Sequence, residues 1–520
     1  MANLTRREFL LSLAAMPALG LRLPQLMTLT PGSGQARQGD PGQPNFIIMV
    51  FDTFSARHLP LRGYPRDTTP NISRLAERAT VFHNHYAGGN YTTPGTASLL
   101  TGLYPWSHRS LHMYGHALES VAPVNLFSQL PDAYQTVAYT QNALASALLH
   151  QFRERIDELK PRRELTLADG LWSDVLFPND YPISIHAERL LQGVSLTSPP
   201  FMAAINRLYR DTKNERLSRQ YEDLFPRGLP GGHPHALYAH FVLENVHDWL
   251  AEQTAAAANP FAYYVHLLPP HGPYKTRHEF IDIFDDGWTP PTKELSLWSE
   301  GVPQERLNYQ RRTYDEFIAY VDAEFARLFD MLESNGTLDN TYLILTSDHG
   351  ELFERGIAGH STNSLNDPIL NIPLFIWKPG QTQRVDVFER TSAVDIVPTL
   401  LHLAGQPAVP LHEGAVLPTL GGDAAAFADR AVYAVEAKTN SKFAPLSRAS
   451  LAMYQGPYKL ISYRGYEQLP SAEALYQLFN LDNDPEEMED LYTIERGVAD
   501  TMTAQLQQRL EEANQPFQRS

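Results

Sequence analysis

Three short apolar runs in this chain each lead into acidic or imidazole side chains, and that pattern constrains the fold more than any other feature. Phe46 to Phe51 ends on Asp52, and Tyr342 to Thr346 ends on Ser347-Asp348-His349-Gly350-Glu351. Phe261 to Val265 leads through His266 to Pro270-His271-Gly272-Pro273-Tyr274. Thr136 to Thr140 and Pro373 to Trp377 are further runs of strand length. All are apolar without strict alternation, which predicts strands covered on both faces and therefore a mainly parallel sheet. Tyr314 to Leu332 repeats Phe317, Val321, Phe325, Leu328 and Leu332 at helical spacing and supplies one covering helix. The expected fold class is α/β, a mainly parallel central sheet sandwiched by helices.

Ligands of open α/β sheets bind beyond the carboxyl ends of the strands. Asp52, Asp348 and His349 are therefore placed to converge on a divalent cation. A mixed oxygen and nitrogen set suits zinc or manganese, or magnesium or calcium where the carboxylates dominate. The segment from Asn90 to Pro105 reads as a helix N-terminus, with Pro94 at its first position and Thr92 or Thr93 as the cap before it. Such an end attracts anions. A threonine there is either a plain cap or, beside a cation, a nucleophile toward a phosphoryl or sulfuryl centre. His266 reads as a packed histidine at its strand end.

Composition removes several alternatives. A formal charge of -17 with no long basic run excludes a phosphate-tracking nucleic-acid surface. The absence of cysteine excludes disulfides, zinc–thiolate sites and cysteine nucleophiles. At the N-terminus, Thr5-Arg6-Arg7-Glu8-Phe9-Leu10 precedes an apolar stretch to Leu21 that is too short to span a bilayer comfortably. Residues 1–36 are expected to be a twin-arginine signal read by that export machinery, and 37–44 a linker. The destination is then periplasmic or extracellular. Arg153 to Arg163 is expected to be a solvated helix and His235 to Leu250 a packed one. Residues 150–255 carry no legible chemistry and are expected to form an insertion, a lid or a substrate wall.

The segment around Thr92 resembles the nucleophile motif of sulfatases, in the alkaline phosphatase superfamily: Pro94, Leu100, Thr101, Gly102, Tyr104 and Pro105 fit it in register. Asp52-Thr53 with His58-Leu59, Gly63-Tyr64 and Thr68-Thr69-Pro70-Asn71 resembles the amino-terminal signature, and Ser347 to Glu351 the second metal motif. Ser392 to Gly405 and the closing Tyr476 to Glu486 also fit, so the resemblance spans nearly the whole mature chain. It implies a catalytic domain over 45–425 and a smaller C-terminal α+β subdomain over 426–520. By the same resemblance Asp52, Thr92, Asp348 and His349 ligate the metal. His271 and His360 fall where the family contacts the anionic group or protonates the leaving oxygen.

The departures are as informative. Sulfatases oxidise a Cys or Ser of the motif to formylglycine, an aldehyde that Thr92 cannot form, so no formylglycine is expected. Thr96 replaces the arginine that normally supports it, Thr53 replaces the second aspartate, and lysine is missing after Gly359. A threonine at this position resembles phosphodiesterases and envelope phosphoglycerol or phosphoethanolamine transferases of the superfamily, which pass through phosphothreonine. The expected activity is metal-dependent hydrolysis of a phosphate ester or diester, or of a sulfate ester, on a small-molecule, glycan or lipid substrate. The alternatives are transfer to an envelope glycan or lipid, or a domain that binds anions without turnover.

Overall fold

The computed structural model describes residues 42–162, 164–165, 215–231, 242–257, 260–469 and 474–518. The expected signal and most of the expected insertion fall outside these residues. Strands β1 (Asn45–Phe51), β2 (Thr80–Tyr86), β3 (Gln135–Thr140), β4 (Glu158–Leu159), β5 (Phe261–Leu267) and β6 (Thr341–Thr346) belong to one sheet. The hairpin of β7 (Phe353–Glu354) and β8 (Ile357–Ala358) follows, and then β9 (Leu374–Trp377) and β10 (Val385–Ser392) rejoin the sheet. The eight strands run in the order β10-β2-β9-β6-β1-β5-β3-β4. Only β9 is antiparallel to its neighbours. The five apolar runs are β1, β3, β5, β6 and β9, within a residue or so at each end.

Along β1 the side chains alternate between two apolar layers, which is why the run is apolar throughout. Ile47, Met49 and Phe51 pack with Leu243, Val246 and Leu250 of α3 (Leu243–Ala256) and with Phe317, Val321 and Phe325 of α4 (Gln304–Ser334). Phe46, Ile48 and Val50 pack with Ala97 and Leu100 of α1 (Thr92–Thr101), Leu148 of α2 (Ala143–Gln151), and Ile396 and Leu400 of α5 (Ile396–Leu403). Both faces are covered, as a parallel sheet requires.

Helix α4 begins ten residues before the apolar repeat that foretold it, because its first turns are mostly polar and half-exposed. The residues from 153 do not form the expected solvated helix. Arg153–Arg155 is a single 3₁₀ turn and Glu158–Leu159 is the edge strand β4. Asp157 Oδ2 accepts the Thr136 N–H at 2.9 Å and Ile156 is buried, so local bonds to β3 replace the helical ladder. Of the helix expected over 235–250, residues 243–250 lie in α3, and 235–241 fall outside the described residues.

The C-terminal residues form an antiparallel sheet of β11 (Val432–Glu436), β12 (Ala449–Gln455), β13 (Tyr458–Arg464) and β14 (Leu475–Asn480), followed by α6 (Arg496–Asn514). Leu451, Met453, Leu460 and Leu478 pack with Met502, Leu506 and Leu510 of α6 and with Trp106. Ala434, Tyr454, Ile461 and Phe479 pack with Tyr86, Leu352 and Ile369 from beside the large sheet. The smaller sheet is thus continuous with the core that carries the strand ends.

Candidate active site

Register brings the polar strand ends level. Val50 is paired with His266 on one side and with Thr346 on the other, and Thr140 is paired with His266. Asp52, His266, Asp348 and Asn142 therefore arrive at one edge of the sheet. Ser347 Oγ accepts the Phe54 N–H at 2.9 Å and lies 2.6 Å from the Phe51 and His349 carbonyl oxygens, which locks the turns after β1 and β6 together.

Helix α1 starts at Thr92 itself. Tyr91 is the cap, extended at φ -157° and ψ 170° and without a side-chain capping bond, and Pro94 is the third helical residue. The expected cap at Thr92 or Thr93, and Pro94 as first residue, are corrected here: N–H groups of the first turn have no intrahelical acceptor, so a proline, which lacks one, fits as the third residue as well as the first. Thr92 is thereby freed from capping. Gly95 lets α1 approach the end of β6, since a Cβ on it would stand 2.3 Å from the Asp348 carbonyl oxygen.

Asp52, Asp348, His349 and His266 are fully buried and Thr92 is nearly so. His349 Nε2 lies 3.5 Å from Asp52 Oδ1, 3.5 Å from Asp348 Oδ2 and 3.4 Å from Thr92 Oγ1. His349 Nδ1 donates to the Gly350 carbonyl at 3.0 Å, which leaves Nε2 as the nitrogen with a free lone pair. Among the described residues, ligand atoms of Asp52, Asp348 and His349 all lie within 4.8 Å of one another. Asp52 Oδ1 and Asp348 Oδ2 are buried there without a hydrogen-bond partner. Buried polar atoms are seldom left so, and two carboxylates facing an imidazole lone pair fit a divalent cation.

The electrostatics agree. Burial, and then the charge of Asp52, push Asp348 up to about 7. Against burial, His271, His266 and His349 hold Asp52 well below the usual carboxylate range. Burial and the neighbouring His360 depress His349 well below the usual imidazole range, so it is a neutral donor. A positive ion is what two such carboxylates lack.

His360 and His271 stand at the rim. The His360 ring is 4.3 Å from the His349 ring and 5.1 Å from the His271 ring, centroid to centroid. Burial opposes its protonation, but Glu351 overrides burial and raises His360 above the ordinary range, bonded to its Nδ1 at 2.8 Å. Tyr274 donates to the other Glu351 oxygen at 3.1 Å. His271 Nδ1 donates to the Gly272 carbonyl at 2.7 Å. The residues singled out from sequence, Asp52, Thr92, His271, Asp348, His349 and His360, are all brought to this edge.

Two residues were missed. His266 is packed, as expected, with Tyr264 hydroxyl 3.2 Å from its Nδ1, but its Nε2 turns into the site, 3.7 Å from an oxygen of Asp52 and of Asp348. Asn142 donates from Nδ2 to Asp52 Oδ2 and, at 3.2 Å, to Thr92 Oγ1. The strand-end rule applied to Thr136–Thr140 would have found it. Thr53 holds a left-handed φ of 64°, costly for a β-branched residue, and its hydroxyl is buried without a partner.

A sulfatase family model matches residues 44–406. The choline-sulfatase of Rhizobium meliloti (strain 1021) is 24% identical over 490 residues, 89% of this chain and 85% of that one. Human N-acetylgalactosamine-6-sulfatase is 23% identical over 72% of this chain and 64% of its own length. Among solved structures, the phosphonate monoester hydrolase of Agrobacterium radiobacter superposes with a TM-score of 0.63 at 19% identity, covering 91% of this chain and 96% of that one. A second, solved with its substrate D-glucosamine-2-N,6-O-disulfate, gives 0.62 at 16% identity over 91% and 98%. A model match over most of the chain, on a sheet whose strand ends assemble these donors, identifies the chain as a member of the sulfatase family of ester hydrolases.

Proposed function

We propose that this hydrolase cleaves phosphate esters, phosphodiesters foremost, with Thr92 as nucleophile. The observation that carries this reading is the placement of Thr92 Oγ1 at the start of α1, 3.4 Å from His349 Nε2 and free of any capping duty. Asp52, Asp348 and His349 would hold a divalent cation, with Thr92 Oγ1 beside it, and its charge would lower the cost of forming the threonine alkoxide.

In the first step Thr92 Oγ1 loses its proton to solvent and bonds to phosphorus. The bond from phosphorus to the leaving oxygen breaks, and that oxygen keeps the electron pair. His360, kept protonated by Glu351, passes a proton to it. Water then attacks the phosphothreonine and gives a proton to His360, and Thr92 leaves and is reprotonated from solvent. Pro94 has no N–H and the Gly95 N–H is bonded to the Tyr91 carbonyl at 3.1 Å, so the Thr92 and Thr93 N–H groups are the ones this helix start would offer an anion. His271 lines the same rim.

A second reading, direct attack of Thr92 on a sulfate ester, is favoured by the names of the relatives, choline-sulfatase and N-acetylgalactosamine-6-sulfatase. One panel separates the two: a bis-aryl phosphodiester, an aryl phosphonate monoester, an aryl phosphate and an aryl sulfate, with the wild type and Thr92→Ala. The expected result is fastest turnover of the phosphodiester, lost in Thr92→Ala. Preferred turnover of the sulfate would establish the second reading, and cation binding with no turnover at all would mark a binding domain.

We also propose export by the twin-arginine route, supported by Arg6-Arg7 and the short apolar stretch that follows. N-terminal sequencing of the exported protein is expected to begin near residue 37, and a chain retained with its first residues intact would contradict it.

A further inference from the structure

We infer that Asn142 is a further catalytic residue of this site, a fixed neutral donor that serves the Thr92 hydroxyl and steers Asp52; the inference rests on the reading of Thr92 as nucleophile.

The residue is held at every polar atom. Its Oδ1 caps α2 by accepting the Leu144 N–H at 2.7 Å, and its backbone N–H donates to Thr140 Oγ1 at 3.0 Å. Because the cap consumes Oδ1, the amide has one orientation, and its NH₂ group is the end that faces the sheet edge. That group donates to Asp52 Oδ2 and Thr92 Oγ1 at once, in a position 5% exposed.

Two consequences follow. The bond to Thr92 Oγ1 aims a preorganised donor at the atom where negative charge develops as the threonine loses its proton, the arrangement that stabilises oxyanions most effectively. The bond to Asp52 Oδ2 occupies one carboxylate oxygen and leaves Oδ1, the buried atom without a partner, as the one offered to a cation. A charged side chain could do neither as well: a lysine here would compete with the cation, and an aspartate, which only accepts, would repel Asp52. The cap gives the residue a structural duty too, which any test must separate from the chemical one.

Asn142→Ser does so, because serine ranks with asparagine as a helix cap but has no second donor group. The full-length mature protein is assayed with Mn²⁺ and the bis-aryl phosphodiester. Asn142→Ser keeps the cap, so it is expected to unfold at a higher midpoint than Asn142→Ala, and to lose on the order of 10²-fold in kcat, with KM little changed. Labelling of Thr92 in acid-quenched turnover should fall in parallel. Asn142→Ala should add a lower unfolding midpoint to the same loss. Asn142→Asp, read by Mn²⁺ titration calorimetry and independent of any turnover, should bind the cation at least about tenfold more tightly, since a third carboxylate then joins Asp52 and Asp348. Wild-type kcat in Asn142→Ser would overturn the inference and leave the residue a helix cap, and so would unchanged Mn²⁺ affinity in Asn142→Asp. Undiminished turnover by Thr92→Ala would instead overturn the reading of the nucleophile, a separate result.

Discussion

A threonine hydroxyl is a weak nucleophile until its surroundings favour its alkoxide, and here each neighbour contributes something different. His349 is kept neutral by burial and by His360, while Glu351 keeps His360 charged against its own burial. The sign of the pH dependence follows. His360 can deliver a proton only below its raised pKa, so kcat/KM falls as pH rises through that value. Removing the Glu351 charge lowers it, and Glu351→Gln is expected to move the alkaline arm of the pH–rate profile to lower pH; an arm left in place would contradict the role. The sequence made Asp52, Thr92, Asp348 and His349 legible because each sits in a contiguous motif. His266 read as a packed strand residue and Asn142 as a neutral one after Thr136–Thr140, so neither stood out; the pairing of Thr140 with His266 shows that both reach the same edge as Asp52.

At the scale of elements, the site depends on how closely α1 meets the end of β6. Gly95→Ala would put a methyl group against the Asp348 carbonyl oxygen, which backbone cannot evade cheaply. The expected outcome is a loss of at least about 1–3 kcal/mol in urea unfolding, together with weaker cation binding in calorimetry. Elsewhere, Asp322 of α4 accepts the Asn71 and Ile72 N–H groups at 3.0 and 2.7 Å and so caps the short helix Pro70–Leu75. Asp322→Ala leaves the buried Ile72 N–H and the half-buried Asn71 N–H unpaired, and denaturant titration should show a cost of about 1–3 kcal/mol with kcat unchanged. The strands read well from sequence because two-sided burial makes each a continuous apolar run. The two edge strands β4 and β10 did not, because edge positions carry polar residues that look like helix or loop, and neither did the interior strand β2, whose His83, Asn84 and His85 break the apolar run. The start of α1 was misplaced for a related reason: proline and threonine are at home anywhere in a first turn.

Across the molecule, the C-terminal sheet is joined to the catalytic part through the closing motif that resembled the family. Lys459 on β13 is buried between Glu487 at 2.6 Å and Asp367 at 3.2 Å, and Arg57 donates to the Pro485 carbonyl at 2.7 Å and to Glu486 at 3.1 Å. Lys459→Ala would leave two buried carboxylates without their cation, and a loss of about 3–5 kcal/mol is expected in denaturant titration. A near-wild-type midpoint would show that the ion pair does not hold the two parts. The central claim, however, is that a threonine has replaced the aldehyde as nucleophile on a sulfatase scaffold. Mass spectrometry of the protein quenched in acid during phosphodiester turnover tests it most directly. A phosphoryl group on the peptide containing Thr92, absent from Thr92→Ala, is the predicted result; an unmodified Thr92 in the wild type, together with undiminished turnover by Thr92→Ala, would contradict it.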